Sequence, residues 1–384
     1  MKNELLHTPD GVRDIFGNES AVKRKIENSI SGVFESFGYN NVQTPTFEYF
    51  DVFSEKRGSV PSKDLYKFFD RAGNTLVLRP DITPSIARLV AKNYKDETKP
   101  IKLCYNGDTF INNSELQGKL KEITQLGCEL INDDSIDADA EMIALVVESL
   151  KATGLEDFMV EICEVDFYKG LISECGFDKK TEHAIRRAII DKKNFEVESI
   201  LEEQKVPSNV KDALLNLTEL FGSVEVLDKA LELTDNELSV KSINRLKELY
   251  SILEEYGVAK YISFDLGMIS NFTYYTGIIF KAYTYGSGDE IVAGGRYDNL
   301  IGQFDKDAAA IGFAIYVDQI ASVIYSKNPS FADEAKCVIV YSNEKRKEAI
   351  ECAMSKRAEG NKAILVKDTQ AKDFGDQVEI IEFK

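Results

Sequence analysis

The chain is short of the residues that build several common kinds of site. It has two histidines, His7 and His183, far apart in sequence, and six cysteines standing singly at 104, 128, 163, 175, 337 and 352 with no CxxC pair. A structural zinc site needs clustered Cys and His ligands, so no metal is assigned. Met1-Lys2-Asn3-Glu4 leads into polar residues rather than an apolar core, so no secretory signal is expected. Without one, a disulfide framework is not expected in a chain of 384 residues. No run of about 18 apolar residues occurs, which argues against a transmembrane helix. The expected location is therefore cytoplasmic and off the membrane. No GxGxxG fingerprint and no Walker-type loop is present, and no cofactor is assigned.

Positive charge is scarce too. Lys and Arg total 47 against 65 Asp and Glu, a formal net charge of −18. A protein that grips tRNA over a broad surface neutralises phosphates with basic residues. No cluster dense enough for that is evident, although acidity by itself does no more than favour solubility.

What is there describes an ordinary globular protein, 43% hydrophobic and 29% charged, long enough for two or three domains. Val22, Ile26, Ile30, Val33, Phe34 and Phe37 recur at helical spacing and predict a helix over 20–38, stopped by Gly38. Short strands are predicted at 39–47 and 75–78, and a helix at 82–93 with Pro84 in its first turn. Strands follow at 102–110 and 119–131, a strong amphipathic helix at 137–153, and a strand at 158–165. From 167 to 257 the chain is rich in Leu, Lys and Glu with helical periodicity, which reads as an inserted helical subdomain. Strand signals return at 261–266, 274–283 and 290–293, and 308–326 begins as a strand and turns into a helix. A polar linker with Pro329 precedes a small α/β appendage over 335–384, leaving a core over 1–325.

Four segments carry polar chemistry. In Leu78-Arg79-Pro80-Asp81-Ile82-Thr83-Pro84 a strand gives way to a helix at a carboxylate and a hydroxyl. That pair could hold an ammonium group, or could merely cap the helix, and the seven residues alone favour the cap. If 125–129 is extended, Gln125 and Glu129 share one face, which suits a lined pocket and a solvated strand face about equally. Tyr274 and Tyr275, taken as strand residues, would put one ring on each face. Gly294-Gly295, followed by Arg296-Tyr297-Asp298, permits a tight backbone or close approach of a ligand.

Taken in this order, the segments resemble the class II histidyl-tRNA synthetase core. The likeness runs from Thr8-Pro9-Asp10-Gly11-Val12-Arg13-Asp14 to Gly312-Phe313-Ala314-Ile315. It includes Phe37-Gly38-Tyr39 through Thr44-Pro45-Thr46-Phe47-Glu48, similar to the dimer-interface motif. The resemblance implies an α+β fold, a mixed and mainly antiparallel sheet flanked by helices, in a dimer. It also implies a histidine pocket. Asp81 and Thr83 would hold the amino group, Gln125 would contact the ligand, Glu129 would face the imidazole, and Tyr274 and Tyr275 would complete the pocket. Asp81 is one methylene shorter than the Glu usual in synthetases.

The departures from that family are as informative. Adenylation builds negative charge on phosphate and needs fixed cations, usually arginines. The family's motif-2 arginine is matched by Ile111, its histidine-specific arginine by Ser270, and its motif-3 arginine by Gln319, while Lys119 and Lys121 stand where further arginines would be. The segment after Ala335 is about half the length of the synthetases' anticodon-binding domain. Among synthetase-like proteins, this pattern resembles the regulatory subunits of ATP phosphoribosyltransferase. That resemblance implies no aminoacylation and no tRNA. It implies a short-form catalytic subunit as partner within a hetero-octamer, and histidine as the feedback effector. The alternatives are a divergent histidyl-tRNA synthetase or histidyl-adenylate-forming ligase, and an amino-acid-binding scaffold module.

Overall fold

A computed structural model describes residues 6–54, 60–113, 119–269, 274–331, 336–370 and 378–384. The chain divides into two compact units, Met1–Lys327 and Asn328–Lys384.

The first unit opens with helix α1 (Gly17–Ser36), then β1 (Asn40–Asn41), β2 (Phe47–Tyr49), β3 (Lys67–Phe69), β4 (Thr75–Leu78) and α2 (Thr83–Asn93). Two long strands, β5 (Ile101–Phe110) and β6 (Glu122–Ile131), lead into α3 (Ile136–Ala152) and β7 (Phe158–Glu164). The helical middle contains α4 (Val165–Ser173), α5 (Lys179–Ile190), α6 (Asn194–Glu203), α7 (Ser208–Asn216), the short strand β8 (Phe221–Gly222), α8 (Glu225–Glu232) and α9 (Glu237–Glu255). The unit closes with β9 (Ile262–Asp265), β10 (Ile278–Thr284), β11 (Val292–Arg296), β12 (Ala310–Tyr316) and α10 (Val317–Lys327).

Nine strands form one sheet in the order β1-β5-β6-β12-β11-β10-β7-β9-β8. Every pair is antiparallel except β1 with β5 and β7 with β9. This is the mixed, mainly antiparallel α+β architecture, with helices flanking the sheet. Alternation along β5 and β6 divides the residues between two faces. Cys104, Leu126, Cys128 and Leu130 are buried on the face toward α1 and α3, where Phe34 of α1 meets Phe313 of β12 edge-on at 5.8 Å. On the other face Leu103 and Tyr105 join Ile82, Ile86 and Val90 of α2 in a cluster with Tyr274, Tyr297, Leu300 and Ile301. The candidate site residues sit at the edge of this second cluster.

A separate three-stranded sheet, β2-β4-β3, is closed by Val52, Phe53, Leu65 and Val77. The second unit holds three parallel strands, β13 (Lys336–Tyr341), β14 (Lys362–Lys367) and β15 (Val378–Phe383), with α11 (Arg346–Ala358). Cys337, Ile339, Ala349, Ala353 and Ala363 form its core. Among the described residues no helix is long and apolar enough to cross a membrane.

Candidate functional site

The site is organised around Glu129 in β6. Because side chains alternate, Gln125, Gly127 and Glu129 share the face toward α2, and Glu129 has no solvent exposure at all. In the sheet it lies between Leu103 of β5 and Gly312 of β12. Gly312 is required there, because a β-carbon would collide with the Glu129 carboxylate. Gly295 of β11 pairs with Gly312, and a β-carbon on it would come within 2.8 Å of the Tyr275 ring. Two glycines side by side thus leave room on this face for a carboxylate and an aromatic ring.

Both Glu129 oxygens are occupied within the protein. The Thr83 hydroxyl donates to Oε1 at 2.7 Å and the Tyr297 hydroxyl to Oε2 at 2.6 Å. Burial disfavours the charged form and pushes the carboxyl up to about 8, against the pull of those two hydrogen bonds and with the help of nearby Asp81. Near neutral pH Glu129 is therefore largely protonated.

Asp81 accepts a hydrogen bond from the Thr83 backbone N–H at 3.2 Å, so it does local work at the start of α2. The N-cap position itself is Ile82, and the Thr83 side chain leaves the helix end to reach Glu129. Arg79, just before this turn, is buried and donates to the carbonyls of Asp108 at 2.7 Å and Thr44 at 2.9 Å, which fixes where Asp81 sits.

The tyrosine pair differs from the strand expectation. β10 begins at Ile278, so Tyr274 and Tyr275 precede it. The Thr276 N–H bonds the Arg296 carbonyl at 2.8 Å and its hydroxyl bonds the Asp298 carboxylate at 3.0 Å, which holds this segment in a turn. Strict alternation therefore does not apply. The two rings lie 4.8 Å apart at 57°, and both face the same cavity instead of opposite faces. Tyr274 also meets Tyr297 edge-on at 6.3 Å. Likewise, Gly294 and Gly295 lie inside β11 and not after a strand.

Asp81, Thr83, Gln125, Tyr274 and Tyr275 line one cavity of about 480 Å³. Glu129 lies behind its wall, covered by Thr83, Tyr297 and Gly312. Ile111 and Gln319 line the same cavity, and Ser270 lies outside the described residues. The basic side chain on the described wall is Lys119, which pairs with Asp289 at 3.1 Å. The carbonyl oxygens of Asn113, Gln125 and Gln319, all on this wall, are buried without a hydrogen-bond partner.

Sequence reasoning did not single out Tyr297, although it lies in the Gly-Gly-Arg-Tyr-Asp segment; its hydroxyl reaches a residue 168 positions away, and only the fold brings the two together. Its neighbour Arg296 points elsewhere. Arg296 Nη2 and Nε hold Asp139 Oδ1 at 2.6 and 2.9 Å, and Arg245 Nη2 holds Asp139 Oδ2 at 2.5 Å. Asp139 is fully buried. This ion triad ties β11, α3 and α9 together beside the tyrosine turn.

Comparison with known proteins matches the chain to histidyl-tRNA synthetase-like proteins. The family model described as histidyl-tRNA synthetase matches residues 11–320. An ATP phosphoribosyltransferase regulatory subunit from Acetivibrio thermocellus is 39% identical over 362 residues, 94% of this chain and 86% of that protein. One from Ruminiclostridium cellulolyticum is 40% identical, over 94% of this chain and 87% of the relative. A solved structure from Bacillus halodurans, described as an ATP phosphoribosyltransferase regulatory subunit/histidyl-tRNA synthetase, superposes with a TM-score of 0.87 at 31% identity over 99% of both chains. Histidyl-tRNA synthetase from Nostoc shares the fold with a TM-score of 0.80 at 20% identity.

Proposed function

The chain belongs to the family of ATP phosphoribosyltransferase regulatory subunits, built on a histidyl-tRNA synthetase-like fold, and from that premise we propose that it binds histidine and confers histidine feedback on a short-form catalytic subunit. It would not itself form an adenylate. The observation that carries the reading is a cavity suited to an amino acid beside a wall unsuited to phosphate. Asp81 and Thr83 would receive the ammonium group. The tyrosine pair and Glu129 would enclose the imidazole, and Gln125 would contact the ligand between them.

Glu129 is held by Thr83 and Tyr297 behind the wall. An imidazole that takes its proton would form an imidazolium–carboxylate pair in place of one of those bonds, and Thr83 or Tyr297 would have to turn. A ligand that prefers one arrangement shifts the population toward it, and an interface that senses the arrangement passes the difference to the catalytic subunit. The assembly would contain a dimer of this chain within a hetero-octamer.

Phosphate stabilisation is where the cavity wall falls short. Removing a single oxyanion-stabilising donor typically costs about 10²–10³ in rate. Ile111 and Gln319 both face the cavity, so two of the three positions matched to synthetase arginines offer no cation there. Histidine-dependent pyrophosphate exchange with ATP should accordingly be absent. Calorimetric titration of histidine into the protein tests the pocket: saturable binding is expected for the wild type, and Glu129→Ala should lose it. Unchanged affinity in that variant would refute the pocket assignment, and robust exchange activity would favour a ligase.

A further inference from the structure

Two residues fix the tyrosine pair from outside the cavity. Tyr274 and Tyr275 line it, whereas Thr276 and Asp298 do not. These two grip each other in both directions. The Thr276 hydroxyl donates to Asp298 Oδ2 at 3.0 Å, and the Asp298 backbone N–H donates to the same hydroxyl at 3.0 Å. One hydroxyl thus serves as donor and acceptor at once. The Thr276 N–H, bonded to the Arg296 carbonyl at 2.8 Å, and the Val165 N–H, bonded to the Gly277 carbonyl at 3.2 Å, complete the anchorage. Gly277 leaves little slack, since a β-carbon there would come within 3.1 Å of the Arg296 side chain.

Asp298 has a second hold. Its Oδ1 accepts from the Ala310 N–H at 3.0 Å and from Arg296 Nη1 at 3.3 Å. Ala310 opens β12, two residues before Gly312, which makes room for Glu129. Tyr297, whose hydroxyl covers Glu129, donates its own N–H to the Ala310 carbonyl at 2.7 Å. A single carboxylate therefore fixes the tyrosine turn through Thr276 and the strand that carries Gly312 through Ala310. Rings already held in place need no ordering when a ligand arrives, and that saving appears as affinity. Building on the histidine reading above, we propose that Thr276 and Asp298 are positioning residues of the pocket: they touch no ligand, and they set its affinity by holding Tyr274 and Tyr275 where the pair encloses the imidazole.

Calorimetric titration of L-histidine into the full chain tests this with two substitutions. Thr276→Val keeps the shape and loses both hydroxyl bonds, and Thr276→Ser keeps both. The valine variant should bind about 10-fold more weakly or worse, and the serine variant within about 3-fold of the wild type. Urea unfolding without ligand separates positioning from loss of fold: a variant that is at least about nine-tenths folded cannot lose 10-fold in affinity through unfolding. Asp298→Asn carries the same test should the valine variant fail to fold. It removes the charge that holds Thr276 and Arg296, and should also weaken binding by about 10-fold. A Kd within about 3-fold of the wild type in a folded Thr276→Val or Asp298→Asn, or a loss that Thr276→Ser shares, would overturn the inference and leave the histidine reading intact. A wild type that binds no histidine would overturn both.

Discussion

Replacing Glu129 by Gln should remove a loss of stability that the wild type suffers as the pH rises. The wild-type carboxyl lies at about 8 in the folded state against 4.5 when free, and burial is the main cause. A group raised in this way contributes fully below its unfolded value. It loses that contribution as the pH climbs toward the folded value, because the unfolded chain sheds the proton that the folded chain must keep. At about 1.36 kcal/mol for each pH interval between the two values, the loss is about 2 kcal/mol at pH 6 and on the order of 4 kcal/mol at pH 8. Gln keeps the shape, can accept from one of the two hydroxyls and donate to the other, and does not titrate. The stability difference between Glu129→Gln and wild type should therefore grow by about 2 kcal/mol between pH 6 and pH 8. Urea unfolding followed by far-ultraviolet circular dichroism at fixed ionic strength measures it. Glu164, also buried and raised to about 8 by burial, titrates in both proteins and cancels in the difference. A difference independent of pH across this range would refute the claim that Glu129 is held protonated.

Other perturbations follow from the same geometry. Gly312→Ala drives a methyl into the Glu129 carboxylate, so thermal unfolding should show a loss of about 2 kcal/mol or more and calorimetry a loss of histidine binding; a silent variant would contradict the packing described. Asp139→Ala removes the carboxylate shared by Arg296 and Arg245, leaving Arg296 with Asp298 at 3.3 Å, and should cost about 3 kcal/mol in denaturant unfolding, whereas a cost below about 1 kcal/mol would mean that the triad is dispensable. Histidine affinity should peak between the imidazole value of about 6.5 and the Glu129 value of about 8, and titrations in buffers of differing ionisation enthalpy should show proton release below that window and uptake above it. Histidine at about 100 times its Kd should stabilise the wild type by about 2.7 kcal/mol in thermal denaturation and leave Glu129→Ala unmoved.

Much of this arrangement can be read along the chain where structure is local. The alternation of β6 places Gln125 and Glu129 on one face without further information, and the apolar spacing of α1 and α3 marks both helices. Where a contact spans the fold, the sequence says little. Nothing near Glu129 announces that Tyr297 closes over it, or that Gly312 is small because Glu129 lies beneath it. The tyrosine pair misleads for the same reason: its residues have strong strand preference, yet the bonds from Thr276 to Arg296 and Asp298 bend the backbone out of the sheet. The strand Lys67–Phe69 and the two-residue strand Phe221–Gly222 are too short to produce a periodic signal. The order of the four motifs was more informative than any one of them, since each alone has an ordinary structural explanation.

The most direct test of the central claim is to mix the purified chain with a short-form ATP phosphoribosyltransferase catalytic subunit and follow phosphoribosyl-ATP formation with and without histidine. The account predicts that the chain raises the rate, that histidine reverses the increase, and that Glu129→Ala raises the rate but no longer responds to histidine. A catalytic rate that is the same with and without this chain would contradict it.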